Sequence, residues 1–141
     1  HSTDYQFTPG KVDVLQEGDD VTIVAVGSTV YEAVAAAQEL QAASMGAEVL
    51  NISSVRPLEK ARIIESLRKT GKVVTVEEHS LHGGIGSLVA EIIADERLDV
   101  QCTRLGITEG QFSKAGPRKE IRAHYHIDAQ GIVETIKELF I

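Results

Sequence analysis

Six consecutive residues, Val21-Thr22-Ile23-Val24-Ala25-Val26, are almost wholly apolar and rich in β-branched side chains. A run this short and this continuous reads as a strand covered on both faces, the environment of a central strand in a parallel sheet. Further strands are predicted over residues 47–52, 73–76 and 100–107. Between them lie stripes at helical spacing: Val30, Ala33, Val34, Ala37 and Leu40, then Ile63, Ile64 and Leu67, then Ile85, Leu88, Val89, Ile92 and Ile93. A last stripe, Ile132, Val133, Ile136, Leu139 and Phe140, follows the final strand. Strands alternating with helices of this length imply βαβ units with right-handed crossovers, and so an α/β domain whose sheet is covered by helices on both faces.

The punctuation between these elements is specific. Pro9-Gly10 marks a turn after a lead-in over residues 1–10, and residues 11–15 alternate like a short, half-exposed strand. Thr29 with Glu32 has the spacing of a capping box, and Gly46 is placed to be the left-handed residue that stops the first helix. Pro57 suits a first helical position, Thr70-Gly71 ends that helix, and the next runs to about Arg97. Residues 108–116 have no clear period and read as loop, Pro117 opens a helix over residues 118–125, and Asp128 can cap the last one.

A chain of 141 residues suits one domain with a sizeable core. Fourteen basic against twenty-one acidic residues give a net charge of −7, which opposes binding to nucleic acid or anionic lipid. No apolar run approaches the ~20 residues that cross a bilayer, and His1-Ser2-Thr3-Asp4 carries no signal pattern, so a cytoplasmic location is expected. His1-Ser2 reads as an expression remnant. Cys102, the single cysteine, lies in an alternating run and is expected to pack as a small hydrophobe in a reducing compartment.

In sheets of this kind a ligand crevice forms beyond the carboxyl ends of the strands. Two loops are the candidates to border one here: Gly27-Ser28-Thr29, and His79 to Gly86 within the stretch Glu77-Glu78-His79-Ser80-Leu81-His82-Gly83-Gly84-Ile85-Gly86-Ser87. Gly27, Ser28, Thr29, Glu78, His79, His82, Gly83, Gly84, Gly86 and Ser87 are therefore the candidate ligand or interface residues. The glycines serve either close packing of strand on helix or presentation of helix-start amides to an anion. No phosphate loop is present, and Gly84-Ile85-Gly86 has Val89 where a dinucleotide fingerprint needs its third glycine. Glu77, Glu78, His79 and His82 lack the further ligand that zinc needs, and His124 and His126 have no diagnostic spacing. His79 is a candidate proton site or hydrogen-bonding post. Ser28, Ser80, Ser87 and Cys102 lack the setting of a nucleophile, so no catalytic, cofactor-binding or metal-binding residue is assigned. Lys114, Arg118, Lys119 and Arg122 read as a solvated helix face rather than an anion site.

Several of these stretches together resemble the C-terminal domain of the transketolase family of thiamine-diphosphate enzymes. They are Val24-Ala25-Val26-Gly27 with Glu32-Ala33, Val55-Arg56-Pro57-Leu58, Val74-Thr75-Val76-Glu77-Glu78-His79, Gly83-Gly84-Ile85-Gly86-Ser87, and residues 113–128. The resemblance implies a single three-layer α/β/α domain over residues 1–141, with a five-stranded mixed, mostly parallel sheet in order 1-3-2-4-5 and an antiparallel first strand. His126 stands where relatives often carry glycine, so a tight helix end is expected there.

The resemblance also implies that thiamine diphosphate and Mg are bound elsewhere in the parent enzyme, by a Gly-Asp-Gly motif for which Gly18-Asp19-Asp20 is no substitute. The parent would transfer a two-carbon ketol unit between sugar phosphates, as in the pentose phosphate pathway. This domain would then be a structural and subunit-contact module whose partners are the cofactor-binding domains or subunit, with a homodimer among its assemblies. Deoxyxylulose-phosphate synthase is an alternative parent, and pyruvate dehydrogenase beta subunits look more distant. A freestanding module binding an anion or nucleotide above Gly27 and the Gly83 to Gly86 turn is a reading of another class.

Overall fold

A computed structural model describes residues 5–108 and 115–139. Five strands, β1 (Val12–Gln16), β2 (Val21–Val26), β3 (Ala47–Ile52), β4 (Lys72–Ser80) and β5 (Gln101–Ile107), form one sheet in the order β1-β3-β2-β4-β5. β1 pairs antiparallel with β3, while β3, β2, β4 and β5 are mutually parallel. The helices are α1 (Thr29–Ala42), α2 (Lys60–Thr70), α3 (Ile85–Asp95), α4 (Arg118–His124) and α5 (Ala129–Glu138). Among the described residues no helix is long and apolar enough to cross a membrane.

The pleat sorts each strand's side chains into two cores. Ile23, Ala25, Val49, Val74 and Val76 pack with Ala33, Ala37 and Leu40 of α1 and Ile132 and Ile136 of α5. Val24, Leu50, Ile52 and Val73 pack on the opposite face, with Ile63 and Leu67 of α2 and Val89 and Ile92 of α3. The architecture is therefore the expected three layers. Glu48, wholly buried on the α2 face, accepts from Ser66, from Arg62 Nη2 at 2.7 Å and from Lys69 Nζ at 2.9 Å. Burial alone would raise its pKa, but the bonds from Ser66 and Lys69 outweigh that and leave it lowered.

Several local expectations give way to tertiary context. The capping box does not form: Thr29 directs its hydroxyl at the carbonyls of Val26 and Val76, and Glu32 turns toward α4 and α5. Ser44, not Gly46, is the left-handed residue after α1, at φ 62°. Met45 N donates to Leu40 O and Ser44 N to Gln41 O, the paired bonds of a Schellman ending. Gly46 instead lies against Gly18, with its N–H on Asp20 Oδ2. Pro57 precedes α2, which starts at Lys60, and the Arg56–Pro57 peptide is cis.

Arg97 at φ 52° closes α3, which ends at Asp95, and His126 at φ 55° makes the tight ending expected after α4. Gly71 does so after α2, and Asp128 caps α5 by accepting from Gly131 N. Cys102 is exposed on the edge strand β5, where it pairs with Val73 of β4, rather than packed in the core. The expectations for residues 1–4, most of the 108–116 loop, Lys114 and Phe140 fall outside the described residues.

Candidate functional site

The decisive local difference is the length of β4. The sequence places a loop at the acidic pair and its histidine, but the strand continues through Glu77, Glu78 and His79, and Ser80 pairs with Ile107 of β5. Successive strand residues point to opposite faces, so the pair is split between the two layers. Glu77 goes to the α3 side and Glu78 to the α1 and α4 side.

Glu77 is only 2% exposed. Its carboxylate accepts from Ile85 N at 2.9 Å and Gly86 N at 3.0 Å, the first amides of α3. An internal carboxylate therefore holds the position where a bound anion would sit on this helix. Gly84 is required by the same contact: a Cβ built there would lie 1.8 Å from Glu77 Oε2. A Cβ at Gly86 would lie 2.7 Å from Thr75 Oγ1, so this glycine lets α3 pack directly on β4. Gly83 has φ 76° and gives its N–H to Ser87 Oγ at 3.0 Å, while Ser87 donates to Leu81 O at 2.9 Å. Arg104 Nη1 reaches the same Leu81 carbonyl at 3.1 Å. His79 is exposed, with Nδ1 2.9 Å from Ser80 O, and His82 N donates to Ser80 Oγ at 3.2 Å.

On the other layer Glu78 accepts from Arg118 Nη2 at 2.7 Å and Nε at 3.1 Å, from Arg122 Nε at 2.5 Å, and from the Ser28 hydroxyl. The Arg118 bonds chiefly hold its pKa down at about 2; partial burial works against them, and Arg122 and Ser28 reinforce them. Arg122 is itself buried, with Nη1 2.7 Å from Glu32 Oε1 and Nη2 3.3 Å from Ser28 O. Glu32 Oε2 in turn accepts from Ala129 N at 3.0 Å. One network thus ties the end of β4, the start of α1, α4 and the start of α5. The solvated-face expectation fails for Arg118 and Arg122, which stand at i and i+4 and converge on one carboxylate. Residues of this network and its neighbours, Tyr31, Lys119 and Gln130 among them, border a cleft of about 510 Å³.

The structure therefore groups Gly27, Ser28, Thr29 and Glu78 on one side of the sheet's carboxyl-end rim, and His79, His82, Gly83, Gly84, Gly86 and Ser87 on the other. Gly27, at φ 62°, makes the turn out of β2. Among the described residues no three His, Cys, Asp or Glu side chains gather where a metal ion could sit. With Glu77 on amides and Glu78 on guanidiniums, these residues do not fit a magnesium–diphosphate group.

The family described as "Transketolase, C-terminal domain" matches residues 10–132. The chain is similar to an apulose-4-phosphate transketolase subunit of Actinobacillus succinogenes, 42% identical over 134 residues covering 95% of this chain and 43% of that protein. It is similar to 1-deoxy-D-xylulose-5-phosphate synthase 1 of Geobacter sulfurreducens, 44% identical over 124 residues, 87% of this chain and 19% of that one. Among solved structures, a split gene transketolase described as an inactive beta4 tetramer superimposes with TM-score 0.90 at 36% identity, over 98% of this chain and 45% of that one. A Campylobacter jejuni transketolase shares the fold, with TM-score 0.70 at 19% identity, over 98% of this chain and 20% of that one. The chain thus spans less than half the length of these relatives.

Proposed function

This chain belongs to the family of transketolase C-terminal domains, and from that premise we propose that it is the structural and subunit-contact module of a transketolase-type enzyme. The parent moves a two-carbon ketol unit between a ketose phosphate and an aldose phosphate in the cytoplasm. Thiamine diphosphate and Mg are held by partner domains or a partner subunit, and copies of this chain associate with one another. The similarity to one subunit of an apulose-4-phosphate transketolase and to a split gene transketolase supports a divided enzyme as the parent.

The observation that carries this reading is the fate of the acidic pair. A general acid or base needs a carboxyl free to exchange a proton with substrate. Glu77 is buried on two helix amides, and Glu78 is locked to two guanidiniums with a pKa of about 2. The same facts weaken the freestanding anion-module reading, since a ligand at α3 would have to displace Glu77. A deoxyxylulose-phosphate synthase parent is the second reading, supported by the Geobacter relative.

The purified chain, supplied with thiamine diphosphate, Mg, a ketose phosphate and an aldose phosphate, is expected to give no ketol transfer above buffer in a coupled assay. Measurable turnover by a pure sample would overturn the scaffold reading.

A further inference from the structure

The cleft of about 510 Å³ between the start of α1, α4 and the start of α5 has a volume within the ~300–1,000 Å³ of ordinary small-molecule sites. Its charges are sorted by depth. The side chains of Glu32 and Glu78 are only 16% and 30% exposed, and both carboxylates are engaged. Glu32 accepts from Arg122 Nη1 at 2.7 Å and Ala129 N at 3.0 Å, and Glu78 accepts from Arg118, Arg122 and Ser28. Two cations stand further out. Arg118 is 63% exposed, and with Nε and Nη2 on Glu78 it keeps Nη1 for another partner. Lys119, exposed beside it, enters none of the ion pairs among the described residues. Glu120, the next residue of α4, lines a separate recess with Ala115 and His124.

Cations at the mouth, with the acids at the back already held, leave the cleft a surplus of charged donors, so it suits an anion. Two spare cationic groups match the nearly double charge of a phosphate monoester better than the single charge of a carboxylate. A phosphate alone would fill little of the space. Tyr31, in the first turn of α1 and 77% exposed, adds an aromatic wall on which a planar heterocycle can stack. Between these two ends lie two acceptors. Asp128 gives Oδ1 to Gly131 N at 3.0 Å and keeps Oδ2, while Gln130 Nε2 donates to Glu134 Oε1 at 2.8 Å and leaves the amide oxygen open. Both suit the hydroxyls of a sugar.

We propose that this cleft binds a nucleoside monophosphate, with the base on Tyr31, the phosphate on Arg118 Nη1 and Lys119 Nζ, and the sugar hydroxyls on Asp128 and Gln130. The site lies on the face of the sheet opposite α3, so Glu77 stays on its amides, and the bonds between Glu78 and the arginines stay in place behind the ligand.

Calorimetric titration of the 141-residue chain tests it, with AMP, adenosine, ribose 5-phosphate and inorganic phosphate as probes. AMP is expected to bind about tenfold tighter or more than adenosine, which lacks the phosphate, and than ribose 5-phosphate or inorganic phosphate, which lack the base. Tyr31→Ala should weaken AMP about tenfold and leave ribose 5-phosphate unchanged, whereas Tyr31→Phe, which keeps the ring, should bind AMP nearly as well as the unsubstituted chain. Lys119→Ala should weaken AMP and ribose 5-phosphate alike, leave adenosine unchanged, and make AMP binding less sensitive to salt. Both positions are exposed on helices, where alanine is a strong helix former, so the melting temperature without ligand should hold. No binding of AMP at millimolar concentration, ribose 5-phosphate bound as tightly as AMP, or AMP binding indifferent to Tyr31→Ala or to Lys119→Ala would overturn the proposal. Such a failure would leave the ketol-transfer test of the proposed function unaffected.

Discussion

Truncating Glu77 to alanine is expected to destabilise the domain by roughly 2–5 kcal/mol, because the Ile85 and Gly86 amides lose a charged partner and each unpaired buried donor costs about 1–3 kcal/mol. Against a total of about 5–15 kcal/mol for a typical domain, that is a large fraction. Gly84→Ala should cost a similar amount for a different reason. The three atoms nearest a Cβ at position 84 all belong to the Glu77 carboxyl group, so the methyl forces that group off its amides. In the double variant the methyl meets no carboxylate, and the total should fall close to that of Glu77→Ala alone. Urea denaturation of all four proteins measures the coupling. Additive losses would mean that Gly84 is needed for something other than Glu77.

Arg122→Ala is expected to cost roughly 3 kcal/mol, the low end for breaking a buried ion pair, since Glu78 is part-exposed and keeps Arg118. Here Glu32 and Glu78 both lose their shared cation. Arg118→Ala, from a side chain 63% exposed, should cost no more than about 1 kcal/mol, as exposed ion pairs do. The pH dependence follows from the sign of the Glu78 shift. Its folded pKa, about 2, lies below the ordinary value of 4.5, so its stabilisation is fully present above pH 4.5 and is lost as pH falls toward 2. Glu78→Gln should flatten that acid limb of the stability profile. An unchanged acid limb would show that the arginine pairing does not hold the carboxylate in solution.

What the sequence made legible was governed by burial of whole elements. The continuous run of β2, the stripes of α1, α3 and α5 and the Asp128 cap all state their surroundings locally. The sheet order and antiparallel β1 came from a family resemblance, since no local period encodes strand order. Helix ends were less legible. Gly71 marks its own helix end and the family resemblance marks His126, but Ser44 and Arg97 adopt the same left-handed conformation under the demand of the chain that follows.

The local pattern and the structure part at the end of β4. Glu77, Glu78 and His79 have weak strand propensity, and only pairing with β5 extends β4 through them. Without that extension the acidic pair looks like one cluster in a loop; with it, each member has a separate task. Arg122 was illegible for a related reason: its partners Glu32 and Glu78 lie 90 and 44 residues away in sequence. The i, i+4 spacing of Arg118 and Arg122 was the available signal, and it needed a carboxylate to point at.

In the proposed function the acidic rim holds a scaffold together and performs no step of the parent's reaction. The most direct test of that role is the kcat of the complete enzyme carrying Glu78→Gln in this domain, per assembled active site, alongside the melting temperature. A scaffold role predicts a lower melting temperature with kcat essentially unchanged. A fall in kcat of about a hundredfold or more, the loss expected on removing a general acid or base, with assembly and melting temperature intact, would contradict it.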